Sequence, residues 1–226
     1  MSGLRVGGLV PLTSIDFPGH LAAVVFCQGC AWRCVYCHNA HLIPADTPAE
    51  RSWDDVLAFL GRRRGLLDGV VFSGGEPTLQ AALPEAAQAV RDLGMRVALH
   101  SAGMAPERLA AVLPLVDWVG LDIKAPVIFH EGIVGVARAS AKVMESLRLI
   151  QQSGIDYECR TTWHPALFPE SELLALGDAL ALQAVRAWSV QACRLPGIAG
   201  PPMQGLAERL AGPLAGRFER FTIRES

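Results

Sequence analysis

The sequence predicts an α/β fold, a partial (β/α)6 TIM-like barrel. Six short runs of residues are apolar on both faces, which is typical of strands covered on both sides in a parallel sheet or barrel. Helix-like segments alternate with these runs at fairly even spacing. Because a closed barrel of eight units usually takes ~250 residues, the 226 residues of this chain favour a partial barrel of six units.

The six predicted strands are short, and residues that favour turns or helices separate each from the next. In chain order they are Leu21–Phe26, Gly69–Phe72, Arg96–Leu99, Trp118–Ile123, Tyr157–Thr162 and Trp188–Gln191.

Cap residues and apolar periodicity place helices between the strands. Ser52 can cap a helix whose apolar residues recur at i, i+3, i+4 and i+7. Pro84 and Pro106 suit the first position of a helix, and Gly94 can end the first of these two. Three further helices are predicted from Ser140 to Gly154, from about Pro169 to Val185 and from Pro202 to Ala211.

Length and composition predict one domain over residues 1–226, with a cysteine-containing loop at 27–39 and a C-terminal extension from about 195 to 226. With a net charge of −2 and a sequence pI near 6.3, nothing favours nucleic acid or an anionic membrane as a partner. No apolar run approaches the ~20 residues of a membrane span. The first residues lack the pattern of a secretory signal, so a cytoplasmic protein is expected.

Polar residues follow every predicted strand. In chain order they are the loop from Cys27 to Cys37, the run Ser73–Glu76, His100 with Ser101, Asp122 with Lys124, Arg160 to His164, and Gln191 to Arg194. In α/β barrels the catalytic groups gather at the carboxyl ends of the strands. We therefore expect these residues to share one rim of the barrel.

The most specific local signal is the spacing Cys30-x3-Cys34-x2-Cys37. In a reducing compartment such clustered cysteines indicate metal binding or catalysis. Three thiolates are one fewer than a fully ligated cubane iron–sulfur cluster needs, and the remaining iron would be open to a substrate. A zinc site is the alternative, with Cys27 or His38 as the fourth ligand.

This spacing, with Tyr36 just before the last cysteine, resembles the signature of radical S-adenosylmethionine (SAM) enzymes. The run Ser73-Gly-Gly-Glu76 resembles the glycine-glycine-glutamate motif of that superfamily. Two further runs, Leu121-Asp-Ile-Lys124 and Cys37-His-Asn39, resemble motifs of its glycyl-radical-enzyme activases. The fold that the resemblance implies is a partial barrel of the radical SAM type.

A closer resemblance is to the activating proteins of anaerobic ribonucleoside-triphosphate reductases, and it extends from about Gly8 to Arg194. It rests on Ile15–Gly19, Phe26–Cys30 and Gly65–Leu79. The implied function is generation of a glycyl radical on that reductase. The alternatives are activation of another glycyl-radical enzyme such as pyruvate formate-lyase, a radical SAM enzyme with a small-molecule substrate, or an iron–sulfur or zinc module without SAM chemistry.

The resemblance implies a [4Fe-4S] cluster held by Cys30, Cys34 and Cys37 as the catalytic centre. The cluster would reductively cleave SAM to methionine and a 5′-deoxyadenosyl radical, and this radical would abstract a hydrogen atom from a glycine of the partner enzyme. The electron would come from a flavodoxin or ferredoxin. Cluster and cofactor supply the chemistry, while the protein binds and orients them.

Nine residues are implied as cofactor contacts, six of them on the glycine-rich loop and the fourth and fifth strands. Gly74 and Gly75 would let the backbone approach SAM closely, and Glu76 would face its ammonium group. Lys124 would pair with the SAM carboxylate, and Arg160 would bind the carboxylate or the ribose. Lys124 and Arg160 also have a simpler interpretation, as partners of a neighbouring carboxylate.

The remaining contacts are Tyr36 against the adenine, the backbone near His38 at the base edge, and Ser101 at the ribose or methionyl end. Asp122 and Ser101 also match ligands of a monovalent cation in related activases, although His100 stands where those relatives carry aspartate. We further expect Cys27, Cys159 and Cys193 to be buried, and Trp32 and Arg33 to protrude. Residues 127–139 receive no assignment.

Overall fold

Eight strands form one sheet in the computed structural model of the protein, which describes residues 3–193, 205–214 and 216–224. The strands are β1 Val6–Thr13, β2 Ala22–Cys27, β3 Gly69–Gly74, β4 Arg96–Ser101, β5 Trp118–Asp122, β6 Asp156–Trp163, β7 Ala187–Ala192 and β8 Arg220–Arg224. Their order in the sheet follows the chain. Strands β2 to β8 are parallel, and β1 is antiparallel to β2.

The predicted architecture is confirmed, because the six predicted strands correspond to β2–β7. In the described part of the chain β1 and β8 do not pair with each other, so the sheet is a partial barrel. Neither edge strand, β1 nor β8, was predicted from the sequence. Two glycines and Pro11 interrupt the apolar pattern of β1, and proline in a sheet is confined to edges and bulges.

Seven α-helices lie in the described residues: α1 Trp53–Gly61, α2 Leu83–Asp92, α3 Pro106–Val112, α4 Val127–Val134, α5 Ala139–Ser153, α6 Glu170–Leu182 and α7 Leu206–Leu214. The cap predicted at Ser52 is confirmed, since its side chain accepts a hydrogen bond from the Asp55 backbone N–H. Gly154 ends α5 with φ of +74°, also as predicted. The cap predicted at Ser140 is wrong, because α5 begins one residue earlier, after Arg138.

Two parts of the helix prediction need further correction. Helix α4 falls in the segment 127–139 that received no assignment. Helix α7 ends at Leu214, three residues beyond the predicted end, and the predicted start at Pro202 lies outside the described residues, as does Arg194. Within the described ranges no helix has both the length and the apolar character needed to cross a membrane.

Apolar side chains alternate along the strands and form two layers. One face of the sheet packs against the helices, with Ala23 and Val25 of β2 fully buried there. On the other face a smaller cluster fills the barrel interior near the first residues of the strands. It comprises Phe17, Ala22, Val24, Val71, Ala98 and Trp118. Because this cluster fills one end of the interior, the cavity lies at the carboxyl ends.

Candidate functional site

A cavity of about 250 Å³ lies at the carboxyl ends of β3 to β6, under the cysteine loop. Eleven residues predicted for the site line this cavity: Cys30, Cys34, Tyr36, Cys37, His38, Gly74, Gly75, Ser101, Asp122, Lys124 and Arg160. Glu76 is not among the lining residues. The structure therefore brings together residues that are up to 130 positions apart in the sequence, Cys30 and Arg160.

Backbone hydrogen bonds hold the cysteine loop from two sides. The Cys30 N–H donates to the Ile43 carbonyl oxygen at 3.0 Å, which fixes the start of the loop. The Val35 N–H donates to the Ile133 carbonyl oxygen at 3.0 Å. This second bond reaches a late carbonyl group of α4, which has no partner within its own helix. The unassigned segment 127–139 thus supports the loop that carries the cysteines.

The chemistry of the donor set fits an iron–sulfur cluster. The six cysteines all lie in the described ranges and are free thiols. Cys30, Cys34 and Cys37 line the cavity, whereas no three His, Cys, Asp or Glu side chains of the described residues are placed to hold one metal ion. A cubane cluster offers each thiolate its own iron atom, so it suits three thiols that share a cavity without converging on one point.

Burial opposes ionisation of these thiols before a metal binds. Desolvation raises the pKa of Cys30 to about 11 and also raises the pKa of Cys34. The Lys124 ammonium group lowers both values without reversing the shift. Since metals bind thiolates, loading the loop must release protons. Cys27 lies on β2 and is fully buried in the apolar layer under the helices. Cys159 and Cys193 are also buried in that layer.

The Glu76 carboxylate points into the protein. Its Oε1 atom accepts hydrogen bonds from the Thr78 N–H at 3.1 Å, the Thr78 hydroxyl at 2.7 Å and the Ser101 hydroxyl at 2.8 Å. Its Oε2 atom accepts one from the Ala102 N–H at 2.8 Å. Burial raises the pKa of Glu76, and these donors oppose the rise. Glu76 therefore ties the glycine-rich loop to the end of β4.

Gly74 and Gly75 let this loop pack beneath the cysteine loop. The Gly75 N–H donates to the Cys27 carbonyl oxygen at 2.9 Å, and the Glu76 N–H donates to the Gly29 carbonyl oxygen at 2.9 Å. A Cβ atom at Gly75 would collide with the Gly29 carbonyl oxygen, and Gly74 has φ of +108°. Only glycine suits these two positions.

Asp122 is the centre of a charge network in the cavity. Its Oδ1 atom accepts hydrogen bonds from Arg160 Nε at 3.1 Å and Nη2 at 2.8 Å, and its Oδ2 atom accepts one from Lys124 Nζ at 3.2 Å. Burial would raise the pKa of Asp122, but Arg160 and Lys124 outweigh it and lower the pKa to about 2. Two cations and one carboxylate leave a net positive charge at this wall.

Gly120 makes room for this network. A Cβ atom at Gly120 would lie 2.8 Å from Arg160 Cζ and 3.0 Å from its Nε and Nη1 atoms. Asp122 and Arg160 are directly opposite each other in the β5–β6 pairing. The absent side chain at Gly120 therefore lets the guanidinium group lie across β5 and reach Asp122. No local sequence pattern indicated this role for Gly120.

His100 is buried at the side of the cavity and uses both ring nitrogens. Its Nε2 atom lies 2.8 Å from the Asp16 carbonyl oxygen, and its Nδ1 atom lies 3.4 Å from the Ser73 hydroxyl. Burial and, to a smaller extent, the Arg160 charge lower the pKa of His100 to about 3. His100 is therefore neutral at physiological pH.

Tyr36 places its ring beside Lys124, whose Nζ atom lies 5.7 Å from the ring centroid. The Tyr36 hydroxyl is buried, and it has no hydrogen-bond partner among the described residues. Burial raises the pKa of this group. An unpaired buried hydroxyl beside a cavity is an observation that points to a bound group, because such an atom is costly to leave unsatisfied.

Among the lining residues, Thr162, Asn39 and Met104 were given no cofactor contact from the sequence, although Thr162 belongs to the run Arg160 to His164 that was expected at the rim. Thr162 could have been found, because strand alternation puts it on the same face as Arg160. The prediction that Trp32 protrudes is wrong. Trp32 is buried, with its ring centroid 5.4 Å from that of His130. Arg33 is exposed, as predicted.

Comparison with known proteins gives one family match and several related sequences. The pattern of the Radical SAM superfamily matches residues 24–172. A protein of Methanocaldococcus jannaschii, named as a candidate glycyl-radical enzyme activating enzyme, is 30% identical over 178 residues, covering 74% of this chain and 72% of that protein. The pyruvate formate-lyase-activating enzyme of Clostridium pasteurianum is 34% identical over 125 residues, 53% of this chain and 52% of that enzyme. The chain thus spans about half of this second relative.

Solved structures at low sequence identity share the fold. QueE from Escherichia coli has a TM-score of 0.62 at 17% identity, with 99% of this chain and 94% of that chain covered. Streptococcus suis SuiB bound to S-adenosylmethionine has a TM-score of 0.69 at 14% identity, with 87% of this chain and 48% of that chain covered.

Proposed function

The chain belongs to the radical SAM superfamily, and we propose that it is the activase that generates a glycyl radical on an anaerobic ribonucleoside-triphosphate reductase. The observation that carries the proposal is the joint lining of one cavity by three free thiols and by the Asp122–Lys124–Arg160 network. The target rests on the sequence resemblance of Ile15–Gly19, Phe26–Cys30 and Gly65–Leu79.

Activation of pyruvate formate-lyase is the second candidate. The relative from C. pasteurianum carries that activity in its name. So does a relative from Streptococcus mutans, 34% identical over 192 residues, which cover 77% of this chain and 72% of that enzyme. Both candidates use the same chemistry and the same cavity, so only the partner enzyme distinguishes them.

Cys30, Cys34 and Cys37 would hold a [4Fe-4S] cluster. When bound, the cluster supplies the electron that cleaves SAM and so produces the radical that removes a hydrogen atom from the partner's glycine. The loop's two backbone anchors keep the three thiols on the cavity side. An electron-transfer or zinc module would need a fourth ligand, and Cys27 is packed in the apolar layer outside the cavity. His38 lines the cavity, but no group of His, Cys, Asp or Glu among the described residues is placed to hold one metal ion.

The other cavity residues would bind and orient SAM. The net positive wall at Lys124 and Arg160 would attract the carboxylate of its methionyl group. The backbone at Gly74 and Gly75 would approach the cofactor closely, and Tyr36 and the backbone at His38 would contact the adenine.

The remaining three site residues already have hydrogen-bond or ion-pair partners within the protein. Asp122 would hold the two cations in place, and the Ser101 hydroxyl donates to Glu76 while accepting from the Gly103 N–H at 3.0 Å. Because Glu76 has four donors, we assign it the positioning of Ser101 and Ala102. Glu76 does not line the cavity, so an ammonium contact would require its side chain to move.

The experiment is anaerobic loading with iron and sulfide, reduction with dithionite in the presence of SAM, and detection of 5′-deoxyadenosine. We expect product from the wild-type protein and from Cys27→Ala, and none from Cys34→Ala. A fully loaded wild-type protein that forms no product would contradict the proposal. A Cys27→Ala variant that cannot be loaded would favour the four-ligand module.

The target is tested with purified partner enzymes. The activated protein is mixed with anaerobic ribonucleotide reductase or with pyruvate formate-lyase, and the glycyl radical is measured by electron paramagnetic resonance. A signal on the reductase supports the proposed target. A signal confined to pyruvate formate-lyase would replace it with the second candidate.

A further inference from the structure

Helix α5 carries a buried hydroxyl group on an otherwise apolar face. Ser146 is fully buried, whereas the other buried residues of this helix are apolar: Ala139, Val143, Leu147 and Ile150. Ser146 is not among the residues that line the cavity. A buried hydroxyl group is costly unless it forms a hydrogen bond. The partner of Ser146 therefore indicates what this residue does.

The hydrogen bond of Ser146 reaches a turn that follows β4. Its hydroxyl group donates to the Gly103 carbonyl oxygen at 2.9 Å, 43 positions away in the chain. The Gly103 N–H donates in turn to the Ser101 hydroxyl oxygen at 3.0 Å. Both polar groups of the Gly103 backbone are thus bonded to serine side chains. Because Ser101 also donates to Glu76, the hydrogen bonds run from α5 to the glycine-rich loop.

The turn around Gly103 forms part of the cavity wall. Three of its residues line the cavity: Ser101, Ala102 and Met104. Gly103 is buried and has φ of +67°, and a Cβ atom there would lie 3.0 Å from Leu121 Cδ1 and 3.1 Å from Ser146 Cβ. Without the Ser146 hydroxyl group, the buried Gly103 carbonyl group would need another donor. The glycine backbone is free to rotate towards one, and its rotation would move the neighbouring wall residues.

We propose that Ser146 is a positioning residue for SAM, whose hydroxyl group fixes the turn 101–104 in the cavity wall. The inference rests on the proposed function, in which SAM occupies the cavity. Since Ser146 does not line the cavity, it acts through Gly103 and Ser101. A displacement of about 1 Å in a binding wall can cost about 100-fold in rate, even when its cause lies far from the reacting atoms.

The test measures SAM binding to the cluster-loaded protein without a reductant, so that no SAM is cleaved. Ser146→Ala should raise the Kd for SAM at least about fivefold. Ser146→Thr keeps the hydroxyl group, and its Kd should stay within about twofold of the wild-type value. Ile150→Val is the matched control, because it removes one methyl group from the same buried face, one turn further along α5. It should lower the Tm of the cluster-free protein and leave the Kd unchanged.

A double-mutant cycle with Ser101→Ala shows whether the two serines act as one unit. In the Ser101→Ala background, Ser146→Ala should raise the Kd by a smaller factor than in the wild type, because the route through Gly103 is already broken. A Kd that Ser146→Ala leaves unchanged would overturn the inference. So would equal factors in the two backgrounds, or a rise in Ile150→Val or Ser146→Thr as large as that in Ser146→Ala. A loaded wild-type protein that does not bind SAM would instead overturn the proposed function.

Discussion

The substitution Gly120→Ala tests whether the charge network depends on an empty space. The three atoms nearest to a Cβ at this position all belong to Arg160, the closest at 2.8 Å. Gly120 is not among the glycines with positive φ, so alanine is compatible with its backbone. The guanidinium group must therefore move, and in moving it loses its two hydrogen bonds to Asp122.

The expected loss of stability follows from these contacts. Hydrogen bonds to charged groups contribute about 1.5–3 kcal/mol, and the Arg160 and Asp122 side chains are only 21% and 31% exposed, so solvent screening is modest. Replacing glycine by alanine stabilises the folded protein by about 0.4–1 kcal/mol, because it lowers the conformational entropy of the unfolded chain. Counted as one charge-assisted interaction, because both bonds end on the same Asp122 oxygen, the contact less this gain leaves an expected loss in the free energy of unfolding of about 0.5–2.6 kcal/mol.

A double-mutant cycle isolates the contact. Urea unfolding of the cluster-free protein is measured for the wild type, Gly120→Ala, Arg160→Ala and the double variant. Without the Arg160 side chain, the alanine methyl group meets none of the three nearest atoms. In that background Gly120→Ala should be neutral or should stabilise the protein by up to about 1 kcal/mol.

The reasoning fails if Gly120→Ala costs the same free energy in both backgrounds. Additive effects would mean that the space at Gly120 does not determine the position of the Arg160 side chain. They would also remove the proposed link between this glycine and the positive wall of the cavity.

Three further predictions concern buried polar groups. Glu76→Gln should lower the free energy of unfolding by about 1–3 kcal/mol. In either orientation the glutamine NH2 group points at a backbone N–H, that of Thr78 or that of Ala102, and two donors cannot bond to each other. Urea unfolding that matches the wild type would contradict this. Tyr36→Phe should leave the cluster-free protein as stable as the wild type or raise its Tm, since it removes an unpaired hydroxyl; a clear drop in Tm would show an undetected partner. His100 has a pKa lowered to about 3 against an ordinary 6.5. Between these two pH values the unfolded chain binds a proton at this histidine and the folded chain does not. The free energy of unfolding therefore falls as the pH drops from 6.5 towards 3. His100→Gln should flatten this dependence between pH 7.5 and 5, and an unchanged slope would refute it.

Much of the fold was predictable because the signals are local. Parallel strands covered on both faces need apolar residues throughout, and each of β2 to β7 shows such a run. The edge strands β1 and β8 were not predicted, because neither has a continuous apolar run. Strand β1 contains glycine and proline, and β8 alternates between apolar and polar residues in the C-terminal extension, where no element was predicted beyond Ala211.

The sequence alone determined which residues gather at the site. The cysteine spacing is a property of one short loop, and parallel strands bring the residues after their carboxyl ends to one rim whatever their separation along the chain. That rule by itself predicts Cys30, Asp122 and Arg160 at one rim of the barrel.

Only the tertiary structure decided how those residues are used. The strand registers set Arg160 opposite Asp122, 38 positions away, and Gly120 leaves the space for that pair. The fold turns Glu76 inward to the Ala102 N–H, 26 positions away, and buries Cys27 in the apolar layer under the helices, outside the cavity that Cys30, Cys34 and Cys37 line. These outcomes depend on distances between segments that are remote in sequence. Such distances are fixed by packing and register, and no local pattern of residue types contains them.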